Sequence, residues 1–259
     1  MEPLRHPTAI IDREATIAPD VVVGPYAVIG AGVVLASGCR VGAHAVLEGP
    51  TTLGERCVVS PHASIGSPPQ DLKYQGETTS LVIGSDNTFR EFVTINRGTA
   101  GGGGTTRVGN GSLFMAYAHV AHDCIVGDGT IFANAATLAG HVTVEEGATV
   151  GAFSGVHQYC TIGRHAFVGG YTVVTQDALP YGKVVGNRAK AYGVNTIGLE
   201  RKGFSGAAID AVKRAYRLLF QSGLNTAQAV ARIEQELSEH EECRYLLEFI
   251  RRSERGIVK

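Results

Sequence analysis

AHVAHDCIVGDGTIFANAATLAGHVTVEEGATVGAFSGVHQYCTIGRHAFVG, residues 118 to 169, places a large apolar residue at every sixth position: Val120, Val126, Phe132, Leu138, Val144, Val150, Val156, Ile162 and Val168. Two residues before these rungs stand small or β-branched residues, among them Cys124, Thr130, Ala136 and Val142. Side chains two apart that share one side of the chain mark a strand, so each hexad reads as a short strand and a corner. The same ladder begins at Val108 and ends at Val174. An earlier run, one phase off, holds Ile11, Ile17, Val23, Ile29, Leu35, Val41, Leu47, Leu53, Val59 and Ile65, and a short piece, Ile83, Phe89 and Ile95, lies between the two. Ten of the 22 rungs in the long runs are followed directly by glycine, as at Gly24, Gly42, Gly127 and Gly163, which reads as a corner using glycine's backbone freedom. Repeated hexads predict a parallel β-helix, a narrow prism with a hydrophobic interior.

Composition supports one elongated core. The chain has 259 residues and a net charge of −1, so no global field recommends nucleic acid or a membrane surface as partner. Its 34 glycines recur in phase with the rungs and mark corners rather than disorder. No stretch approaches the roughly 18 apolar residues of a membrane span, and MEPLRHPTAI lacks a signal-peptide core, so a soluble cytoplasmic protein is expected. The five cysteines form no CxxC. Cys39 and Cys57, 18 apart, and Cys124 and Cys160, 36 apart, all occupy the small inward position and read as buried filler. An odd count and the missing export signal argue against disulfides.

Two insertions interrupt the prism, near 67–82 (SPPQDLKYQGETTSLV) and near 97–107 (RGTAGGGGTTR). Loops of this length in a tight solenoid belong to a working face. The four-glycine run lacks the Gly-Lys-Ser/Thr of a phosphate cradle and reads as a flexible loop. After Val174 the rungs stop, and residues 180–204 read as an irregular connector. From Ser205, a plausible helix cap, the periodicity becomes helical through Ile209, Val212, Ala215, Tyr216, Leu219 and Phe220, with further helices near Asn225 and Glu242. The expected division is 1–192 for the β-helix and 193–259 for a C-terminal helical domain.

The ladder resembles that of hexapeptide-repeat proteins, which implies three hexads per coil; residues 18 apart would then stack about 4.8 Å from one another. His122, Gly140 and Gln158 then form one column, and His119, His141 and His157 fall on the same ridge. A lone corner histidine is ordinarily a hydrogen-bonded turn residue, and His44, His62 and His165 read that way. The cluster differs. Asp123 beside His122 is the carboxylate that fixes an imidazole's tautomer and raises its basicity. Gly140, bare of side chain, lets its N–H approach a reacting carbonyl oxygen as an oxyanion donor. No serine accompanies them, and the register sends Cys124 inward. A base with an oxyanion donor and no nucleophile suggests direct acyl transfer to a bound hydroxyl.

The segments AHVAHDCIVGDGTIFANAATLAGHVTV, VHQYCTIG and GVNTIGLERKGF, with QDLKY, NRGT and the closing RSERGI, closely resemble the hexapeptide-repeat family of acyl-carrier-protein:UDP-N-acetylglucosamine O-acyltransferases of lipid A biosynthesis, essentially end to end. The resemblance implies a left-handed coil, where ordinary crossover sterics favour the right-handed form. It also implies a cytoplasmic homotrimer with sites between neighbouring prisms, and no metal or cofactor. His122 would deprotonate the glucosamine 3-hydroxyl for attack on the thioester of a 3-hydroxyacyl chain on acyl carrier protein. Asp123 would orient His122, and Gly140 would stabilise the oxyanion. His119, His141, His157 and Gln158 would contact substrate, Asp71 and Lys73 the sugar, and Asn195, Arg201 and Lys202 the nucleotide. Gly170 matches the position that measures acyl length, and a glycine there implies a long donor.

Charge points the same way. Between Lys183 and Arg217 lie eight basic residues (183, 188, 190, 201, 202, 213, 214 and 217) against Glu200 and Asp210, a patch suited to an acidic carrier and a pyrophosphate. Asn96 departs from the family, whose best-known members carry histidine before RGT, and relatives that acylate a 3-amino analogue of the sugar keep amide formation open as an alternative. A zinc enzyme of the hexapeptide carbonic anhydrase type is a second alternative, since three imidazoles and water make a catalytic zinc site. The spacing His119-x2-His122, then His141 and His157, does not match that ligand pattern.

Overall fold

The computed structural model describes residues 4–259. Up to Val173–Val174 the short parallel strands pair in strict order, each with the strand three away along the chain, so the described residues form three sheets that close a left-handed triangular prism. The first sheet runs from Ile10–Ile11 to Val173–Val174, the second from Thr16–Ile17 to Thr161–Ile162, and the third from Val22–Val23 to Phe167–Val168. Partners lie 18 residues apart along each uninterrupted stretch, as in Val28↔Val46 and Ile131↔Thr149. The rungs point inward. Leu47, Ile65, Phe89, Val120, Leu138, Val150 and Val168 are fully buried, and only Ile11 and Ile17, in the first coil, remain partly open. Phe89, Phe114 and Phe132 stack inside the prism with ring centroids 5.0 and 4.7 Å apart, offset rungs of one apolar column.

The corners work differently from the sequence reading. Apart from Gly66, the glycines that follow rungs are not left-handed, and most are required by the approach of the next coil. A Cβ on Gly42, for example, would sit 2.7 Å from the Pro61 nitrogen. The left-handed residue comes two positions later and is usually not glycine: Tyr26, His44, His62, Phe92 and Tyr117 have φ between 57° and 65°. Left-handed backbone costs such residues about 1–2 kcal/mol each. Stacking offsets it, because these five rings form one continuous column with centroids 4.9–5.1 Å apart. His44 and His62 are thus corner residues, as read, and they lie on a different edge from His122.

All five cysteines are free and buried. Cys124 points into the core, where burial pushes its thiol up to about 12.

The expected irregular connector is in part regular. Strand Gly182–Val185 continues the third sheet beside Phe167–Val168, and Lys190–Val194 returns antiparallel. Four helices follow: α1 (Thr196–Arg201), α2 (Gly206–Phe220), α3 (Thr226–Leu237) and α4 (Glu241–Arg252). Side chains of Ser205 and Asn225 cap α2 and α3, and Asn225 forms a full capping box with Gln228. Leu199, Val212, Ala215, Ile233, Leu246 and Phe249 build a second apolar core against Leu179 and Tyr181 at the end of the prism. Asp177 holds the tail to the last coils: its carboxylate accepts from the Thr161 N–H at 2.7 Å and the Ser253 hydroxyl at 2.6 Å. Among the described residues no helix is long and apolar enough to cross a membrane.

Because each coil rests on its neighbours, a hole in the aromatic column should be felt along the prism. Phe114→Ala is expected to cost about 3–5 kcal/mol in urea unfolding, since it removes a fully buried ring from between two others.

Candidate active site

One edge of the prism, where the first sheet turns into the second, collects most of the candidate residues. Both insertions replace corners of this edge: one joins Ser64–Ser67 to Ser80–Ile83, the other Thr94–Asn96 to Thr105–Val108. The next corners hold His122 and Asp123, then Gly140 and His141, then His157, Gln158 and Tyr159, each coil directly above the last.

Asp123 sits at φ 59°, a left-handed angle that Asp tolerates, with its side chain fully buried. Its Oδ2 accepts from the His122 ring Nδ1 at 2.8 Å and from the Thr99 hydroxyl at 2.6 Å, and its Oδ1 accepts from the Thr99 N–H at 2.8 Å. Burial alone would raise this carboxyl. Bonds from the Thr99 hydroxyl, His122 and the Thr99 N–H, with the charge of His141, outweigh burial and hold it below its ordinary value.

The His122 ring packs against Gly140, where a Cβ would come within 2.5 Å of Cε1 and 2.7 Å of Nε2. Glycine is therefore needed there simply to seat the imidazole. The Gly140 carbonyl accepts from Tyr159, while its N–H donates to nothing among the described residues. Base and free amide thus share one corner.

His141 meets His122 edge-on with centroids 5.2 Å apart, stacks on Tyr159 at 4.5 Å, and brings Nε2 to 3.8 Å from Asp123 Oδ2. His119 Nδ1 pairs with the Thr94 hydroxyl at 2.7 Å, and burial, then neighbouring His122, lowers its imidazole's basicity. His157 is exposed one coil further on, with Nδ1 3.2 Å from both the Gln158 carbonyl and the Arg255 guanidinium. Atoms of His122, Asp123 and His141 lie within 4.8 Å of one another, a triad with the chemistry of metal ligands. In this arrangement His122 Nδ1 and both Asp123 oxygens are instead engaged in the hydrogen bonds above.

The remaining candidates lie elsewhere. Asp71 accepts from the Lys73 N–H at 3.0 Å inside the first insertion, on the same edge two coils below His122. Asn195, Arg201 and Lys202 line a cavity of about 710 Å³ with Lys183, on the outer face of the third sheet beside the edge where the second sheet turns into the third. Asn195 caps α1 through Gly198 N–H and donates to the His165 carbonyl at 3.1 Å. Gly170 stands on the remaining edge, where a Cβ would touch only the Ala152 backbone, at 3.3 Å or more. In one chain the candidates therefore occupy three different edges.

Sequence reasoning missed Thr94, Thr99, Thr106, Tyr159 and Arg255. The spacing held a signal for Thr99, since the step from Ile95 to Val108 covers the same side of the prism as that from Val120 to Val126. The glycine-rich stretch is not a free loop: it forms a 3-10 turn, Ala100–Gly102, closed on Asp123.

Residues 177–258 match the family model described as UDP N-acetylglucosamine O-acyltransferase, domain 2, and residues 105–140 match the bacterial transferase hexapeptide model. A relative named acyl-[acyl-carrier-protein]--UDP-N-acetylglucosamine O-acyltransferase from Anaeromyxobacter dehalogenans is 53% identical, over 98% of this chain and 99% of its own. One of the same name from Thiobacillus denitrificans is 50% identical over 98% of each. The solved LpxA of Acinetobacter baumannii superposes with a TM-score of 0.96 at 42% identity, covering 99% of this chain and 100% of its own. On this full-length similarity, and with both parts of the fold matched, the chain belongs to the acyl-[acyl-carrier-protein]–UDP-N-acetylglucosamine O-acyltransferase family.

Proposed function

We propose that this protein transfers a 3-hydroxyacyl chain from acyl carrier protein to the 3-hydroxyl of UDP-N-acetylglucosamine in the cytoplasm, as the first step of lipid A biosynthesis. The observation that carries this reading is the corner where His122, tied to buried Asp123 at 2.8 Å, lies over Gly140 and its free N–H. With Nδ1–H directed at Asp123, the Nε2 lone pair takes the proton of the sugar hydroxyl. The hydroxyl oxygen attacks the thioester carbonyl, and the Gly140 N–H receives the resulting oxyanion. Collapse breaks the carbon–sulfur bond, the imidazolium returns its proton to the leaving thiolate, and ester and free carrier thiol depart. No side-chain nucleophile is required, in keeping with the inward, unreactive Cys124.

His119 and His141 lie beside the base and His157 and Gln158 further along the same edge, and all four are assigned to substrate contact, with Asp71 and Lys73 assigned to the sugar. The 710 Å³ cavity with Lys183, Arg201 and Lys202 suits the nucleotide and its pyrophosphate. Gly170 leaves room for a long acyl chain. The distribution of these residues over three edges supports a homotrimer in which neighbouring prisms complete each site. Full-length kinship and the nucleotide cavity favour this reading over a zinc enzyme.

His122→Ala is expected to lower kcat at least a thousandfold in a transfer assay, with the circular dichroism of the folded chain retained; activity near wild type would refute the base assignment. Sedimentation should give a mass three times the 27.2 kDa of the chain. Mass analysis of products from carrier proteins of several chain lengths, with UDP-N-acetylglucosamine or its 3-amino analogue, should yield the ester with a long chain. Preferred amide formation would assign the alternative acceptor, and stoichiometric zinc lost together with activity would overturn the mechanism.

A further inference from the structure

We propose that the glycine-rich insertion is a clamp on the Asp123 carboxylate and that Thr99 is a positioning residue for acyl transfer. The inference rests on the reading of His122 and Asp123 as base and orienting acid, and it adds what selects their partnership. Two imidazoles compete for one carboxylate: His122 Nδ1 is 2.8 Å from Asp123 Oδ2, and His141 Nε2 is 3.8 Å from the same atom. The terminal torsion of an aspartate has a broad minimum, so the carboxylate by itself does not hold a unique direction. Thr99 supplies it. Its N–H takes Oδ1 and its hydroxyl takes Oδ2, a two-point grip that leaves Oδ2 directed at His122. Thr106 holds the same residue's backbone, its hydroxyl oxygen accepting from the Asp123 N–H at 2.8 Å.

The four-glycine run follows from this grip. Thr99 is buried and closes the turn, accepting from the Gly102 N–H at 3.1 Å through its hydroxyl and from the Gly104 N–H at 2.8 Å through its carbonyl. A side chain on Gly102 would collide with the Asp123 carboxylate, and one on Gly98 would come within 2.8 Å of Oδ1. Gly103 and Gly104 leave the turn at φ 93° and 80°, angles an L side chain rarely adopts. The insertion thus brings backbone against a buried carboxylate from the coil below, at the corner directly beneath Asp123.

Steady-state kinetics of the full-length enzyme test the clamp, with thermal unfolding recorded on every variant. Thr99→Val keeps the volume and the N–H but removes the hydroxyl. It is expected to lower kcat about tenfold while KM for both substrates and the unfolding midpoint stay near wild type. Thr99→Ser, which keeps the hydroxyl, should restore kcat to within about twofold, and Gly102→Ala, which forces the turn off Asp123, should match Thr99→Val. Unchanged kcat in Thr99→Val would overturn the proposal, as would a loss that Thr99→Ser fails to rescue. His122→Ala assayed in parallel separates the two claims. If it is inactive while Thr99→Val is fully active, only the clamp fails; if it is active, the base assignment itself fails.

Discussion

Everything in this molecule depends on the registration of each coil on the next. A parallel ladder in which every rung rests on the rung of the neighbouring coil tolerates no slip, because a shift of one residue would turn the apolar set outward. The consequence inside is a continuous column of fully buried Val, Ile, Leu and Phe. The consequence outside is that corner residues recur along three straight edges, about 4.8 Å apart. Chemistry placed at one corner therefore meets chemistry placed a coil later, and His122 comes to lie over Gly140 and beside His141 without any loop having to bring them together.

The same constraint decides where extra chain is admitted. A strand cannot absorb an insertion without losing its register, whereas a corner can, and both insertions fall on the edge that holds His122. The second does more than extend the edge. It supplies two of the three hydrogen bonds that hold the buried Asp123 carboxylate, and thereby the direction of the proposed base. The last coil is closed by Asp177 and the helical bundle, which place the basic cavity on the third sheet, away from His122. In the proposed trimer a neighbouring prism brings a second set of edges alongside, so that a nucleotide held in that cavity meets His122.

Much of this was legible in the residues. The hexads gave the prism, and counting by 18 brought His122, Gly140 and Gln158 into one column, because pairing in the uninterrupted coils follows that count. The count fails across the insertions, where Thr94 pairs with His119. Thr99 escaped notice for that reason, and its glycines resembled the composition of a free loop. Glycines after the rungs were assigned to corners for their backbone freedom, but it is the approach of the next coil that demands most of them, a contact no local reading contains. The hairpin Gly182–Val185 and Lys190–Val194 was missed because its rungs break phase after Val174. The family's motifs, by contrast, lie at corners and in the tail, so they survived these errors of register.

In the proposed trimer one functional site is assembled from the His122 edge of one prism and the basic cavity of another. Co-refolding two inactive chains tests it most directly: His122→Ala, which keeps the cavity, with an Arg201→Ala/Lys202→Ala double variant, which keeps the base. An equal mixture should regain about one quarter of wild-type activity, since random trimers place an intact base beside an intact cavity at one site in four. Activity no greater than that of either variant alone would mean that no site is shared between prisms.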